Sequence, residues 1–168
     1  YKRPRVGIIP TGTEIIDDIN SLTIGKILDS NSRVFEGLIL EYGGTPNRYG
    51  PVEDEYELLK NSILKGIEEN DILLVNAGSS AGTKDYTVKI IEEIGEVIVH
   101  GIALKPGKPT ILGVVKGKPV IGIPGYPVSA YLVFDTFVKP LILKYIGLEE
   151  EKEEIVKATV SKSIVSSL

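Results

Sequence analysis

Short apolar runs alternate along this chain with stretches of helical periodicity, and this alternation restricts the fold more than any other feature. Residues 71–76 contain the clearest run, and the consecutive apolar side chains at its centre indicate a strand buried on both faces of a sheet. Residues 32–42 instead repeat apolar side chains on one helical face and end at Gly43-Gly44. The alternation predicts an α/β fold, namely a three-layer sandwich with a mostly parallel sheet flanked by helices.

The same two periodicities locate the other elements. We predict strands at residues 6–10, 71–76, 97–104, 110–115 and 119–123, and helices at residues 32–42, 53–69, 84–94 and 128–146. The short link at residues 116–118 predicts a hairpin between the last two strands. Gly95 and Gly147 are expected to end the third and fourth helices, and Pro140 to kink the fourth.

An acidic run at residues 149–154 interrupts this pattern, and residues 156–165 then alternate apolar and polar side chains like a single strand. One strand cannot bury itself. We therefore assign residues 1–148 to one domain, and residues 149–168 to a linker and the first strand of a truncated β-rich domain. Docking of that strand on the first domain is the alternative. Because methionine is absent, even at position 1, we expect a fragment of a longer protein or a processed chain.

Composition removes several kinds of chemistry. The absence of cysteine excludes disulfides, thiol catalysis and thiolate metal sites, and the single histidine excludes any site that needs two. A net charge of −4 provides no global positive field for nucleic acid or an anionic membrane. No apolar run approaches the ~20 residues of a membrane span, so a cytoplasmic protein is expected. Oxygen ligation of Mg²⁺ is the metal chemistry that remains.

A loop of small residues follows the predicted strand at 71–76. At residues 78–82, Gly78, Ser79, Ser80 and Gly82 let backbone N–H groups converge on a phosphate at a helix N-terminus, with a tight turn as the alternative. The loop is not a P-loop, because the required Gly-Lys-Ser/Thr ending is missing. Asp85, at the start of the next helix, either caps that helix or coordinates a ligand-bound Mg²⁺.

Three further loops carry candidate binding residues after strands. Residues 11–14 supply a hydroxyl and a carboxylate, with a turn capped by Thr13 as the alternative. Residues 105–109 hold two lysines between prolines, which lower the entropy lost when both ammonium groups converge on an anion; solvated turn lysines are the alternative. In residues 124–129, Pro127 suits the first helical position, which places the Ser129 hydroxyl beside unsatisfied amides that bind oxyanions.

Other polar residues favour structural interpretations. Residues 29–31 (Asp29, Ser30 and Asn31) form a capping cluster before the first helix. Asp54 fits the first turn of the second helix, where it interacts favourably with the helix dipole. His100 is interpreted as a packed or edge-strand residue, and Tyr126 as a packing residue with stacking on a planar ligand as the alternative.

Taken in order, these motifs resemble those of the molybdopterin molybdenumtransferases, the MoeA and gephyrin E-domain family. That family typically shows Thr-Gly-Asp-Glu-Leu, Asp-Ser/Thr-Asn, Ser-Gly-Gly-Val-Ser-x-Gly followed by Asp-Tyr, Lys-Pro-Gly-Lys-Pro and Pro-Gly-Asn-Pro-Val-Ser-Ala. The corresponding residues here are 11–15, 29–31, 77–82 with 85–86, 105–109 and 124–130. Departures at Thr13, Ser79 and Tyr126 indicate a divergent subgroup. The resemblance covers residues 5–147.

The resemblance implies the central, MoaB/MogA-like molybdopterin-binding domain of an enzyme that inserts molybdate into adenylylated molybdopterin and releases AMP. It implies that residues 78–82 hold the phosphate end of the pterin nucleotide, that Asp85 binds Mg²⁺, and that Lys105, Lys108 and Ser129 neutralise and position molybdate. Further substrate-binding residues expected from the matching motifs are Thr11, Gly12, Glu14, Pro106, Gly107, Pro124 and Gly125. A homodimer with a shared active site is also implied, and the adenylyltransferase of the same pathway is a further expected partner.

Two other functions stay open. A molybdopterin adenylyltransferase of the MogA and gephyrin G-domain type would share the fold, although its usual Thr-Gly-Gly-Thr-Gly loop is missing here. The other is a non-catalytic module that binds a nucleotide or pterin. It stays open because a fold by itself does not determine whether a protein catalyses a reaction.

Overall fold

Six strands form one sheet, and helices cover both of its faces. The computed structural model describes residues 2–77, 86–148, 156–159 and 161–162. The strands are β1 (Arg5–Pro10), β2 (Ile15–Ile16), β3 (Ile27–Leu28), β4 (Thr45–Arg48), β5 (Ile72–Ala77), β6 (Glu96–His100), β7 (Ile111–Val115) and β8 (Lys118–Pro124). The helices are α1 (Asn31–Glu41), α2 (Tyr56–Glu69), α3 (Tyr86–Ile94), α4 (Pro127–Val133) and α5 (Lys139–Tyr145).

The sheet has the strand order β4-β1-β5-β8-β7-β6, and β2 pairs with β3 in a separate two-stranded sheet. Four neighbouring strands run parallel, namely β4, β1, β5 and β8. At the other edge, β7 runs antiparallel to both of its neighbours, β8 and β6. The chain passes from β1 outward to β4 and then returns to β5 on the other side of β1. This reversal places a topological switch point between β1 and β5, where α/β sheets open a crevice at the carboxyl ends of their strands.

Two apolar clusters fill the space between the layers. Ile72 and Leu74 of β5 pack with α1, α4 and α5 on one face, and Leu73 and Val75 pack with α2 and α3 on the other. Successive side chains of a strand point to opposite faces, so the unbroken apolar run of β5 supplies both clusters. The predicted three-layer α/β sandwich is confirmed.

The last helix is interrupted where Pro140 predicts a distortion. A π-helical segment, Phe134–Val138, separates α4 from α5 just before that proline. Proline has no backbone N–H to donate to the carbonyl one turn earlier, so regular α-helical bonding cannot continue through this point. Phe134 is fully buried there, and its ring stacks on that of Phe35 with centroids 5.6 Å apart.

Two predicted glycine features are confirmed, each for a local reason. Lys116 and Gly117 have φ values of 49° and 74°, the left-handed pair that a two-residue β-hairpin turn requires between β7 and β8. Gly95 follows α3, and a Cβ there would lie 2.2 Å from the carbonyl oxygen of Val114. Close approach of the neighbouring strand therefore requires glycine at position 95.

Several predicted boundaries are wrong. The strand expected at residues 97–104 ends at His100, because residues 101–110 form a turn in which Gly101 N–H donates to the Thr110 carbonyl at 2.8 Å. β4 is absent from the sequence prediction, since Thr-Pro-Asn-Arg lacks apolar alternation; its proline is tolerated because β4 is an edge strand. Helix α2 begins at Tyr56, three residues later than expected at Glu53.

The strand expected at residues 156–165 is not found in the part of the tail that the structure describes. Residues 156–159 are exposed and belong to no strand. The assignment of residues 149–168 to a second domain stays a prediction. No helix among the described residues combines the length and apolar character needed to cross a membrane.

Candidate functional site

A cleft of about 490 Å³ opens at the carboxyl ends of β1 and β5, at the switch point of the sheet. Its walls come from five segments of the chain that meet at this edge. They are Pro10, Thr11, Glu14 and Ile15 after β1; Ile27, Leu28, Asp29, Ser30 and Asn31 around the start of α1; Asp54 before α2; Asn76 in β5; and Gly125, Tyr126 and Pro127 after β8.

The loop after β1 forms one wall. The N–H and hydroxyl of Thr11 both donate to the carbonyl of Asn76, at 2.9 and 3.2 Å, so this predicted substrate-binding hydroxyl ties β1 to β5. Gly12 has φ of 137°, and a Cβ there would lie 2.9 Å from Oε2 of Glu14. The glycine thus lets the Glu14 carboxylate fold back at the cleft. The turn expected at residues 11–14 is present, but strand β2 follows it directly, so Thr13 does not cap a helix.

The start of α1 forms the opposite wall. Asp29 is buried and accepts hydrogen bonds from the N–H of Ser32, at 3.1 Å, and from the Ser32 hydroxyl, which confirms its predicted capping role. Asn31 has a different role, because its side-chain amide donates to the carbonyl of Gly125 at 2.7 Å. That bond joins the first residue of α1 to the loop before α4 across the cleft.

Residues 13–28, here called the arm, contain β2 and β3 and carry Glu14 to the cleft. The arm is fixed to the sheet layers by Asp17, which accepts from Arg48 of β4 at 2.7 Å and from Arg33 of α1 at 3.1 Å. The Arg48 guanidinium, hydrogen-bonded to Asp17, lowers the pKa of that carboxyl below its ordinary value, and Arg33 acts in the same direction. This ion pair therefore positions one wall of the cleft.

We expect Asp17→Asn to lower the free energy of unfolding at neutral pH by about 0.5–1 kcal/mol, the range for a partly exposed ion pair. Because the folded pKa is depressed, the contribution of Asp17 is present above the unfolded pKa and is lost as pH falls through the folded value. The difference between wild type and variant, measured by urea unfolding, should therefore vanish in acid. Asp18→Asn is the matched control, because asparagine keeps the cap that Asp18 provides to Asn20. A difference that persists below the folded pKa would contradict the ion-pair role.

Asp54 is a cleft residue that the sequence prediction placed wrongly. Helix α2 is capped by Glu55, whose carboxylate accepts from the N–H of Leu58 at 3.2 Å, and Glu57 is the acidic residue of its first turn. Asp54 precedes the cap, is exposed and lines the cleft. With Glu14 and Asp29 it makes this side of the site acidic.

The lysine loop, residues 101–110, lies at the same edge of the sheet, since β7 begins at Ile111 opposite Gly122 near the end of β8. Thr110 closes the loop by donating from its hydroxyl to the Gly107 carbonyl at 2.7 Å. Buried Gly107 lies against Val133 of α4. Lys105 and Lys108 are exposed, and neither lines the cleft. The loop thus brings two cations beside the site, at its α4 side.

The loop after β8 reaches the cleft through Gly125, Tyr126 and Pro127, while Pro124 is the last residue of β8. Pro127 is the first residue of α4, as predicted, and Ser129 is buried in the first turn. Ser129 is not part of the cleft wall. Tyr126 is 70% exposed, which leaves its ring accessible to a planar ligand.

His100 is exposed at the end of edge strand β6, which confirms the edge-strand interpretation.

Some predicted site residues lie outside the described residues, namely Gly78, Ser79, Ser80, Gly82 and Asp85. Sequence reasoning also missed several residues that the structure places in the cleft, namely the apolar Pro10, Ile15, Ile27 and Leu28 and the polar Asn76. Asn76 closes the apolar run of β5 at its carboxyl end, and a polar residue in that position is the signal that could have identified it.

Comparisons with known proteins extend this description. Residues 7–144 match a family profile described as "Probable molybdopterin binding domain". A protein of Methanocaldococcus jannaschii named for molybdopterin biosynthesis is 39% identical over 147 residues, covering 82% of this chain and 37% of the relative. The molybdopterin molybdenumtransferase of Nostoc sp. is 33% identical over 159 residues, covering 92% of this chain and 36% of the enzyme.

Solved structures agree with the sequence matches. The molybdopterin biosynthesis MoeA protein of Pyrococcus horikoshii has a TM-score of 0.82 at 44% identity, covering 89% of this chain and 37% of that one. The tungsten cofactor synthesizing protein MoaB of Pyrococcus furiosus, at 14% identity and a TM-score of 0.64, covers 89% and 99% and shares the fold.

This chain therefore spans little more than a third of the length of its curated relatives. The family profile covers most of the chain, and two curated relatives exceed 30% identity over most of its length. The chain belongs to the family of molybdopterin-binding domains of molybdenum cofactor biosynthesis.

Proposed function

We propose that this domain binds adenylylated molybdopterin and promotes the insertion of molybdate, with release of AMP. The observation that carries the proposal is the division of charge at one edge of the sheet. Glu14, Asp29 and Asp54 line the cleft, whereas Lys105 and Lys108 lie beside it on the loop that packs against α4. The names of the curated relatives support the same reaction.

The division of charge suits a ligand with two different ends. Without a bound metal ion, an oxyanion is repelled by the carboxylates of the cleft and attracted by the two lysines when it lies within the Debye length of about 8–10 Å from them. Lys105 and Lys108 would therefore hold molybdate, and Ser129 would add a hydroxyl on the same side. A ring with hydrogen-bond donors suits the acidic cleft. The backbone N–H groups of residues 78–82 are proposed to hold the phosphates.

Mg²⁺ is part of the proposal, and the donor set of the cleft is compatible with it. Its side-chain oxygens include the carboxylates of Glu14 and Asp54, and oxygen ligands are those that Mg²⁺ prefers. Within the described ranges, no three acidic or histidine side chains are arranged to hold a metal. That fits an ion held by one or two carboxylates and shared with substrate phosphates. Asp85 and Asp54 would hold it, and bound Mg²⁺ would neutralise phosphate charge.

The side chains of this domain would act by positioning and charge stabilisation. No nucleophilic side chain is required, because lysine ammonium groups and backbone N–H groups can stabilise the charge that develops during transfer. Thr11 and Asn31 would keep the cleft in shape, since one ties β1 to β5 and the other ties α1 to the loop before α4. A homodimer with a shared site, and contact with the adenylyltransferase of the pathway, complete the proposal.

We expect Asp54→Asn to weaken the Mg²⁺-dependent binding of adenylylated molybdopterin by about tenfold, because one charge-assisted contact is lost. Helix α2 should be retained in this variant, since Glu55 caps it. Titration calorimetry with and without Mg²⁺ measures the effect. Glu53→Gln is the matched control, because Glu53 lies in the same loop and outside the cleft wall. Equal loss of affinity in both variants would remove Asp54 from the site.

Turnover separates the proposed reaction from its alternatives. AMP release that requires adenylylated molybdopterin, molybdate and Mg²⁺ together would support molybdate insertion. Pyrophosphate release from ATP and molybdopterin would identify an adenylyltransferase instead. Binding without either reaction, in a form extended at both ends to the length of the relatives, would indicate a non-catalytic module. We expect residues 1–168 alone to bind the nucleotide but to react more slowly than the extended form.

A further inference from the structure

Within the part of the chain that the structure describes, the side chain of Asn76 has an unsatisfied acceptor in the floor of the cleft. The residue is 7% exposed, and its Oδ1 is buried without a hydrogen-bond donor among the described residues. The main chain at this point is fixed, because the Asn76 carbonyl accepts from both the N–H and the hydroxyl of Thr11. A buried acceptor without a donor is costly, so its presence in a ligand cleft indicates a donor that arrives with the ligand.

The neighbouring groups restrict what that donor can be. Glu14 presents a carboxylate to the same cleft, and a deprotonated phosphate or another oxyanion has no hydrogen to donate to Oδ1 of Asn76. Asp29 is already engaged by Ser32, and the Gly125 carbonyl by Asn31. The open requirement at Asn76 is therefore for a neutral or cationic group that donates a hydrogen bond.

We infer that Asn76 is a specificity-determining residue that accepts a hydrogen bond from the amino group of a pterin ring. The inference rests on the proposed function, since it identifies which end of the pterin nucleotide enters the cleft. The ring lies against β5 in the cleft. Asn76 therefore favours a ring with an exocyclic amino group over a ring that has a carbonyl oxygen in the same position.

The test compares pterin with lumazine, which carries a second ring carbonyl in place of the amino group. Binding is measured by titration calorimetry to wild type, Asn76→Leu and Asn76→Asp. Wild type should bind pterin at least tenfold more tightly than lumazine. Asn76→Asp keeps an acceptor and should keep that preference. Asn76→Leu has a similar volume without an acceptor, and should bind both rings within about threefold of each other.

Thermal unfolding distinguishes recognition from a structural role. Asn76→Leu removes an acceptor that has no donor, so its melting temperature without ligand should not fall. If the Leu variant unfolds at a lower temperature, the preference for pterin over lumazine is compared in Asn76→Asp and Asn76→Ser instead. Serine shortens the side chain, so loss of the preference in Asn76→Ser alone supports the inference.

Two results would overturn it: no preference for pterin in wild type, which would indicate that Oδ1 is satisfied by water only, or an unchanged preference in Asn76→Leu. Molybdate-dependent AMP release by the extended wild type is measured separately. A pterin preference that depends on Asn76 without AMP release would reject the proposed reaction and keep the inference.

Discussion

Replacing both Lys105 and Lys108 with alanine should weaken molybdate binding by about 100-fold while the fold is retained. Each lysine that contacts an oxyanion contributes about 1–3 kcal/mol through a charge-assisted bond. Both side chains are exposed, whereas the loop is held by Thr110 and by buried Gly107 against α4. The loss should therefore affect the ligand and not the fold. Titration calorimetry with molybdate measures the affinity of each single variant and of the double variant.

The matched control for the lysine loop is Lys116→Asn. Lys116 also lies in a turn and is exposed, but its turn connects β7 to β8 at the opposite edge of the sheet. Asparagine tolerates the left-handed φ of 49° at this position, so the hairpin should be retained. If the control variant loses as much affinity as the double variant, the effect reflects net charge, and the lysine loop does not form the oxyanion site.

Phe134→Ala should lower the free energy of unfolding by about 3–5 kcal/mol, the cost of removing a buried aromatic ring and leaving a cavity. Phe134 is fully buried, stacks on Phe35 at 5.6 Å and lies near Tyr42 at 6.4 Å between ring centroids. It also belongs to the π-helical segment, where irregular backbone depends on packing. Urea unfolding monitored by circular dichroism gives the difference.

Phe137→Ala is the control for this packing. Phe137 lies in the same π-helical segment but is only partly buried, so its truncation should cost clearly less than that of Phe134. Equal losses for the two variants would show that the segment is destabilised by any truncation, and that the stacked pair with Phe35 has no special contribution.

The layers of the fold can be predicted from the sequence because local periodicity determines them. The apolar run of β5 and the left-handed backbone of Gly117 have physical requirements that hold in almost any context, whereas glycine is required at position 95 by a neighbouring strand. Edge strand β4 lacks such a pattern. It exists because β1 offers unpaired backbone groups along Arg5–Ile8, and Thr45–Arg48 lies within reach.

The candidate site was only partly predictable, because the cleft is a property of strand order. The motifs identified loops after strands, and the structure brings residues 11–14, 29–31 and 124–127 to one edge. Asp54 and Asn76 join them for a tertiary reason. Asp54 precedes the residue that caps α2, and Asn76 lies next to the end of β5. Only the return of the chain from β4 to β5 makes them neighbours.

The arm at residues 13–28 gives the domain a hierarchy of local stability. No side chain in this stretch is buried, and its ion pairs to the layers are those of Asp17, whereas the backbone bonds between β2 and β3 lie within the arm. Opening the arm therefore exposes little apolar surface and requires far less free energy than global unfolding. Amide hydrogen exchange in the arm would then be governed by this partial opening. A ligand that contacts Glu14 stabilises the state in which the arm is closed. Binding in the cleft should therefore slow amide hydrogen exchange throughout the arm, which lies outside the core.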